Sequence, residues 1–194
     1  MRKLLLRLVL LSVVSSVDAI TVAAPERMAA DQATEANLAA ATNLSWQGMS
    51  FTVQPPKGFD LSVEQGPGGG ANFFWHGKKR DDGSTPLFMV LPVVRPNDNP
   101  DITPVSFIET WFVSGKEKAE SMDKTAPEEI QVNGRPFKFV TYRRVDGGRQ
   151  FNGFIAATES SAGIFAVSGQ DIAGQKATLD NCWASFKTFS SNTK

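Results

Sequence analysis

Reactive side chains are scarce in this sequence, and the charged ones cluster. A single histidine, His76, follows Trp75 and stands just before Lys78, Lys79 and Arg80; a second basic group gathers at Arg143, Arg144 and Arg149. Such groups can grip an acidic partner through charge-assisted hydrogen bonds, provided the two stretches are neighbours in space. Trp75 and His76 would add a stacking surface beside the first group. Solvated loop ends kept soluble by charge have the same composition, and a tryptophan at a strand end often caps a core instead. Both readings stay open at this level.

Catalytic chemistry finds little support. One imidazole would have to serve every triad, metal site or acid–base pair, and no Gly-x-Ser-x-Gly elbow stands in the chain. His76 and Cys182 are the only His and Cys, too few for a zinc site. Asp81-Asp82-Gly83 lacks the alternating ligand spacing of a calcium loop. The glycine-rich run Gly66-Pro67-Gly68-Gly69-Gly70 leads into strand-like Asn72-Phe73-Phe74-Trp75, whereas a phosphate cradle needs a helix there. Two distant carboxylates can form a glycosidase pair, but nothing in the sequence shows such a pair converging. The expectation is a protein with no catalytic, cofactor-binding or metal-ligating residues. The rival is a hydrolase or small-ligand protein with a pocket between sheet and helix.

The elements that position the basic groups centre on the C-terminal third. Asn133-Gly134 and Asp146-Gly147-Gly148 supply residues that tolerate positive φ, as tight hairpins demand, and Ser160–Gly163 forms a looser connection. Between them, Glu128–Val132, Phe137–Val145, Gln150–Thr158 and Ile164–Gly169 are rich in residues that suit a pleated surface. The pattern predicts a four-strand meander. Phe137 and Phe139 point to one face, Val140 and Tyr142 to the other; Phe154 and Ala156 likewise oppose Phe151 and Ile155. With both faces apolar, both need cover.

Two helices are predicted to supply it. Ile172, Leu179, Cys182, Trp183 and Phe186 form an apolar stripe behind an N-cap at Asp171. Thr103-Pro104 opens an earlier helix of about five turns, with Val105, Ile108, Trp111, Phe112, Gly115 and Ala119 on its apolar side. Before it, Met49–Gln54 and Phe59–Glu64 read as a strand pair turning at Pro55-Pro56-Lys57-Gly58. Phe73–His76 and Leu87–Val94 read as a hairpin with a charged tip. Pro92 hints at an edge or a bulge in the latter. Pro96–Asp101 reads as a linker.

The first 19 residues read as a cleavable export signal: Arg2, Lys3 and Arg7, an apolar stretch from Leu4 to Val17, and Val17-Asp18-Ala19. The apolar run is too short for a membrane span, and with Cys182 as the one cysteine there is no lipid-attachment Cys after it. The expected location is periplasmic or extracellular. Residues 20–45 read as a flexible Ala-rich arm, 46–189 as one domain and 190–194 as a polar tail. Signal removal takes three basic residues and one acidic, leaving 17 basic against 19 acidic. That balance argues against a general nucleic-acid or membrane-surface binder. Cys182 lies on the apolar stripe and reads as a small core residue.

Gly48-Met49-Ser50-Phe51, Pro55-Pro56-Lys57-Gly58-Phe59, Ile130-Gln131-Val132-Asn133-Gly134 and Ala184-Ser185-Phe186-Lys187 occur within this order of elements. Together with the export signal, the chain resembles the PsbP-like superfamily, which includes Mog and DcrB-like proteins, over roughly residues 46–189. The resemblance implies an α+β fold: an α/β/α sandwich with a central, mostly antiparallel sheet. It also implies action by protein binding or complex assembly without a shared catalytic centre. The functional expectation is an exported, non-catalytic binding or assembly module of the bacterial envelope. Its partner would be another envelope protein, met through Trp75, His76, Lys78, Lys79, Arg80, Arg143, Arg144 and Arg149.

Overall fold

The computed structural model describes residues 37–65, 70–95 and 101–191. The export signal, residues 20–36 of the arm, residues 66–69, most of the 96–101 linker and the last three residues lie outside that range. In chain order the elements are β1 (Thr42–Trp46), β2 (Met49–Val53), β3 (Asp60–Gln65), β4 (Ala71–His76), β5 (Leu87–Val94) and α1 (Pro104–Lys116). They continue as β6 (Ser121–Lys124), β7 (Glu128–Val132), β8 (Arg135–Asp146), β9 (Arg149–Ser160), β10 (Gly163–Ile172), α2 (Lys176–Lys187) and β11 (Ser190–Ser191).

Eight strands form one sheet in the order β3-β4-β5-β10-β9-β8-β6, with β7 also on β8, and every pairing is antiparallel. The meander β7 to β10 forms as the turn residues dictate. Asn133 and Gly134 hold φ of 49° and 74°, Gly147 and Gly148 of 56° and 70°. Pro92 sits beyond the last β4–β5 residue pair, Phe73↔Val90, where among the described residues β5 pairs with β10 alone, so its missing N–H leaves no gap in the β4 ladder.

Alternate residues of the same strands feed two separate cores, one on each face of the sheet. Phe73, Trp75, Phe88, Phe139, Phe154, Phe165 and Val167 cluster with Cys182 and Phe186 of α2 and with Met49, Phe51 and Val53 of β2. Met89, Val140, Tyr142, Ile155, Ile164 and Ala166 cluster with Ile108 and Phe112 of α1. Helix α2 approaches the sheet closely at Gly169, where a Cβ would lie 2.6 Å from the Cys182 Cβ. On the other face the Tyr142 ring lies over Gly153, and its hydroxyl is 3.1 Å from Gln170 Oε1.

Several expectations need correction. Strands β2 and β3 do not pair. Instead β2 joins β1 and β11 in a separate three-stranded sheet, and β3 pairs with β4. Pro55 and Pro56 lack amide donors and cannot close a ladder between them; Pro56 instead bridges Leu38. Strand β1 begins inside the predicted arm, and β11 lies in the predicted tail, where Ser190 pairs with Thr52. Strand β6 was not foreseen, since Met122 is its one buried residue. Helix α1 keeps its Thr103 cap, a reciprocal bond pair with Ser106, but ends at Lys116. There the chain turns back under Gly115, where Met122 Sδ fills the space a Cβ would need.

Candidate partner-binding surface at the joined hairpin tips

The loop from Gly77 to Pro86 joins β4 to β5 and carries the first basic group. Its backbone closes on itself: Gly77 N–H donates to Pro86 O at 2.9 Å, Arg80 N–H to Ser84 O at 2.9 Å, and Gly83 N–H to Arg80 O at 2.9 Å. Ser84 N–H donates to Asp82 Oδ1 at 2.8 Å. Bonds from Ser84 hold the Asp82 carboxyl below the usual range, with Arg149 and Arg80 acting in the same direction. A depressed carboxyl contributes its stabilisation above its unfolded pKa and loses it only as pH falls through the lowered value. The Asp82–Ser84 bonds therefore keep their charged acceptor at neutral pH.

Arg80 ties the loop to the sheet. Its Nη1 and Nη2 donate to the two carboxylate oxygens of Asp171 at 2.6 and 2.7 Å, and Nη1 also reaches Ser84 Oγ at 3.2 Å. Asp171 is 1% exposed at the end of β10 and accepts a further bond from Ile172 N–H at 2.7 Å. The bidentate bond raises the Arg80 pKa further, so its charge is permanent. Asp171 is thus no helix cap. Helix α2 starts at Lys176 behind Gln175, which makes no side-chain cap bond. Truncation to Asp171→Ala should cost about 2 kcal/mol, below the range for fully buried pairs because Arg80 keeps access to water. Chemical unfolding of the variant measures it, with Asp180→Ala, a half-buried partner of exposed Lys176, as the near-neutral comparison.

The second basic group sits at the β8–β9 tip, and the two tips meet. Arg149 Nη1 donates to Asp82 O at 3.0 Å, and its guanidinium lies 5.9 Å from the Phe151 ring centroid. Arg144 pairs with Asp146. Arg143 points to the opposite face of β8 from Arg144, half-buried and beside Asn152. Arg80, Arg144 and Arg149 are therefore engaged within the fold. Lys78 and Lys79 are exposed and make no ion pair with any described residue.

Trp75 does not join this surface. It is 2% exposed and packs 5.6 Å from the Phe88 ring in the α2-side core, because its strand position points inward. His76 takes the other face, half-buried, with Nε2 3.1 Å from Ser62 Oγ and its ring 5.9 Å from that of Phe74. Burial pushes the Cys182 thiol far up, which makes it inert. Sequence reasoning missed Ser84 and the roles of Asp171 and Asp82 in closing this loop. Asp171 heads a polar stretch before a helical stripe, which looks like a cap until the Arg80 contact is seen.

An open cleft of about 460 Å³ lies between the start of α1 and the ends of β7, β8 and β9. Of its carboxylates, Glu129 pairs with Lys138 at 2.9 Å and Glu159 with Arg95 at 2.7 Å, and His76 does not line it. Among the described residues, no three His, Cys, Asp or Glu gather as a metal-holding group, and no helix is long and apolar enough to cross a membrane.

No family model matches the chain, and no curated protein matches its sequence. Solved structures do. The solution structure of the cyanobacterial PsbP, CyanoP, of Synechocystis sp. PCC 6803 aligns with a TM-score of 0.51 at 11% identity, over 82% of this chain and 96% of that one. LpqN of Mycobacterium tuberculosis, involved in cell envelope biogenesis, aligns at 0.49 and 10% identity, over 78% and 90%. A Pseudomonas aeruginosa protein of unknown function, PA94, a putative regulator, aligns at 0.47 and 9%, over 76% and 94%. With its antiparallel sheet and two helices in the order that the sequence suggested, the chain has the PsbP-like fold.

Proposed function

We propose that this chain is an exported, non-catalytic binding or assembly module of the bacterial envelope. It is built as an α/β/α sandwich, and it docks an acidic surface of a partner envelope protein on Lys78 and Lys79. The observation that carries the reading is the latched loop. Two lysines without an ion pair among the described residues stand on a turn held by the Arg80–Asp171 pair on one side and by the Arg149–Asp82 bond on the other. Order present before binding spares the roughly 0.5–1.5 kcal/mol that each side chain or loop segment loses on being immobilised. The basic charge at residues 2, 3 and 7 and the apolar stretch after it support export.

Exposed lysine–carboxylate contacts contribute up to about 1 kcal/mol each and weaken with salt. In pull-downs from envelope extract at low salt, the wild-type chain should retain a partner that Lys78→Glu/Lys79→Glu loses, and that moderate salt releases. Equal retention by both chains, or no partner for either, would refute the assignment. Both lysines are exposed, so the double variant keeps its fold.

A further inference from the structure

Among the described residues, the two edges of the large sheet differ. One edge is broken: β7 and β6 are five and four residues long, pair with different halves of β8, and are separated by a link containing Pro127. Short strands and proline are devices that blunt an edge against pairing with another chain. The other edge, β3, has neither. It runs as six consecutive pairs with β4, from Asp60↔His76 to Gln65↔Ala71, with no proline and no bulge. An antiparallel strand paired on one side leaves alternate N–H and C=O groups aimed outward.

The side chains along β3 say what fits there. On the α2-side face, Leu61 and Val63 are 42% and 56% exposed, directly in front of buried Trp75 and Phe73. On the other face, Asp60 and Glu64 are exposed and make no ion pair with any described residue. Ser62 stands between them, its hydroxyl engaged by His76. Opposite residues of an added strand share a face, so aliphatic groups would meet Leu61 and Val63 while basic groups meet Asp60 and Glu64.

We propose that the β3 edge is a second docking site, which takes an extended peptide segment of alternating aliphatic and basic residues as an added strand. The site is distinct from the lysine loop and selects the opposite charge. A second copy of this chain fits less well. Antiparallel pairing about Ser62 sets Leu61 against Val63, but it also sets Asp60 against Glu64 on the same face, twice, and like charges directly opposite are destabilising.

The test uses the full chain and a synthetic peptide of alternating valine and lysine, with a valine–glutamate peptide as the charge control. Site-resolved amide exchange should slow at β3 on addition of the valine–lysine peptide and not of the control. Asp60→Lys/Glu64→Lys should weaken binding of the first peptide about tenfold or more and admit the second. Lys78→Glu/Lys79→Glu should leave the β3 response intact, which separates this site from the loop. The proposal fails if the charge-reversed chain binds the valine–lysine peptide as well as wild type does. It fails equally if protection appears away from β3, if it grows with chain concentration alone, or if none appears at millimolar peptide.

Discussion

Replacing Phe154 by alanine should destabilise the chain by about 3–5 kcal/mol, the range for a fully buried aromatic whose site cannot collapse. Phe154 is 0% exposed at the centre of the α2-side core, with ring centroids 5.3 Å from Trp183, 5.8 Å from Phe186 and 6.1 Å from Phe139. Its neighbours have little freedom to fill the void. Gly169 has no side chain to move, and the backbone of Phe154 is pinned by Ser168 Oγ at 2.6 Å as well as by two ladders. Phe154→Leu, which keeps most of the volume, should lose less than half as much. Urea unfolding followed by tryptophan emission reads both. A loss under about 1 kcal/mol for the alanine variant would mean that α2 does not rest on this ring.

Gly163→Ala should cost about 3 kcal/mol or more, through a backbone clash. Gly163 ends the β9–β10 turn at φ 154° and pairs with both Ser160 and Val94. A Cβ there would run into the Val93 carbonyl oxygen and lie 2.8 Å from the Arg95 amide nitrogen. Neither atom can withdraw without parting β5 from β10. Gly134 provides the contrast. Its φ is 74°, but nothing lies within 4 Å of an added Cβ, so Gly134→Ala should cost only the left-handed strain, about 1 kcal/mol. Urea midpoints of the two variants measure the difference. If Gly134→Ala proves the worse of the two, the tight β5–β10 contact at the turn is wrong.

The meander was legible because its information is local. Turn residues at 133–134 and 146–148 mark the reversals, and the apolar character of both strand faces demands cover on both sides, which α1 and α2 provide. The small sheet was not legible. β1 buries only parts of Leu44 and Trp46, and β11 is two serines held in place because Phe189 beside them is buried against Phe51, Phe137 and Phe165. Pairing Ser190 with Thr52 spans most of the domain, and no local pattern announces a contact that distant. The same limit governs the surface. Types and spacing marked the basic residues but not which of them fold back onto acidic partners. Three of the six cations are engaged within the fold: Asp171 and the Asp82 carbonyl lie where only the tertiary fold brings them to Arg80 and Arg149, while Asp146 is two residues from Arg144 on the same strand; Trp75 faces the core through its strand position.

The most direct test of the lysine loop is the affinity of the captured partner for three full-length chains at low salt. These are wild type, Lys78→Glu/Lys79→Glu and Asp171→Ala. If the loop is ordered in advance by its latch, the first variant should weaken binding at least about thirtyfold by removing and reversing the contacting charges. Asp171→Ala keeps both lysines and frees the loop, and it should weaken binding by about tenfold. Wild-type affinity in the Asp171→Ala chain, with its fold intact, would contradict the role assigned to the Arg80–Asp171 pair.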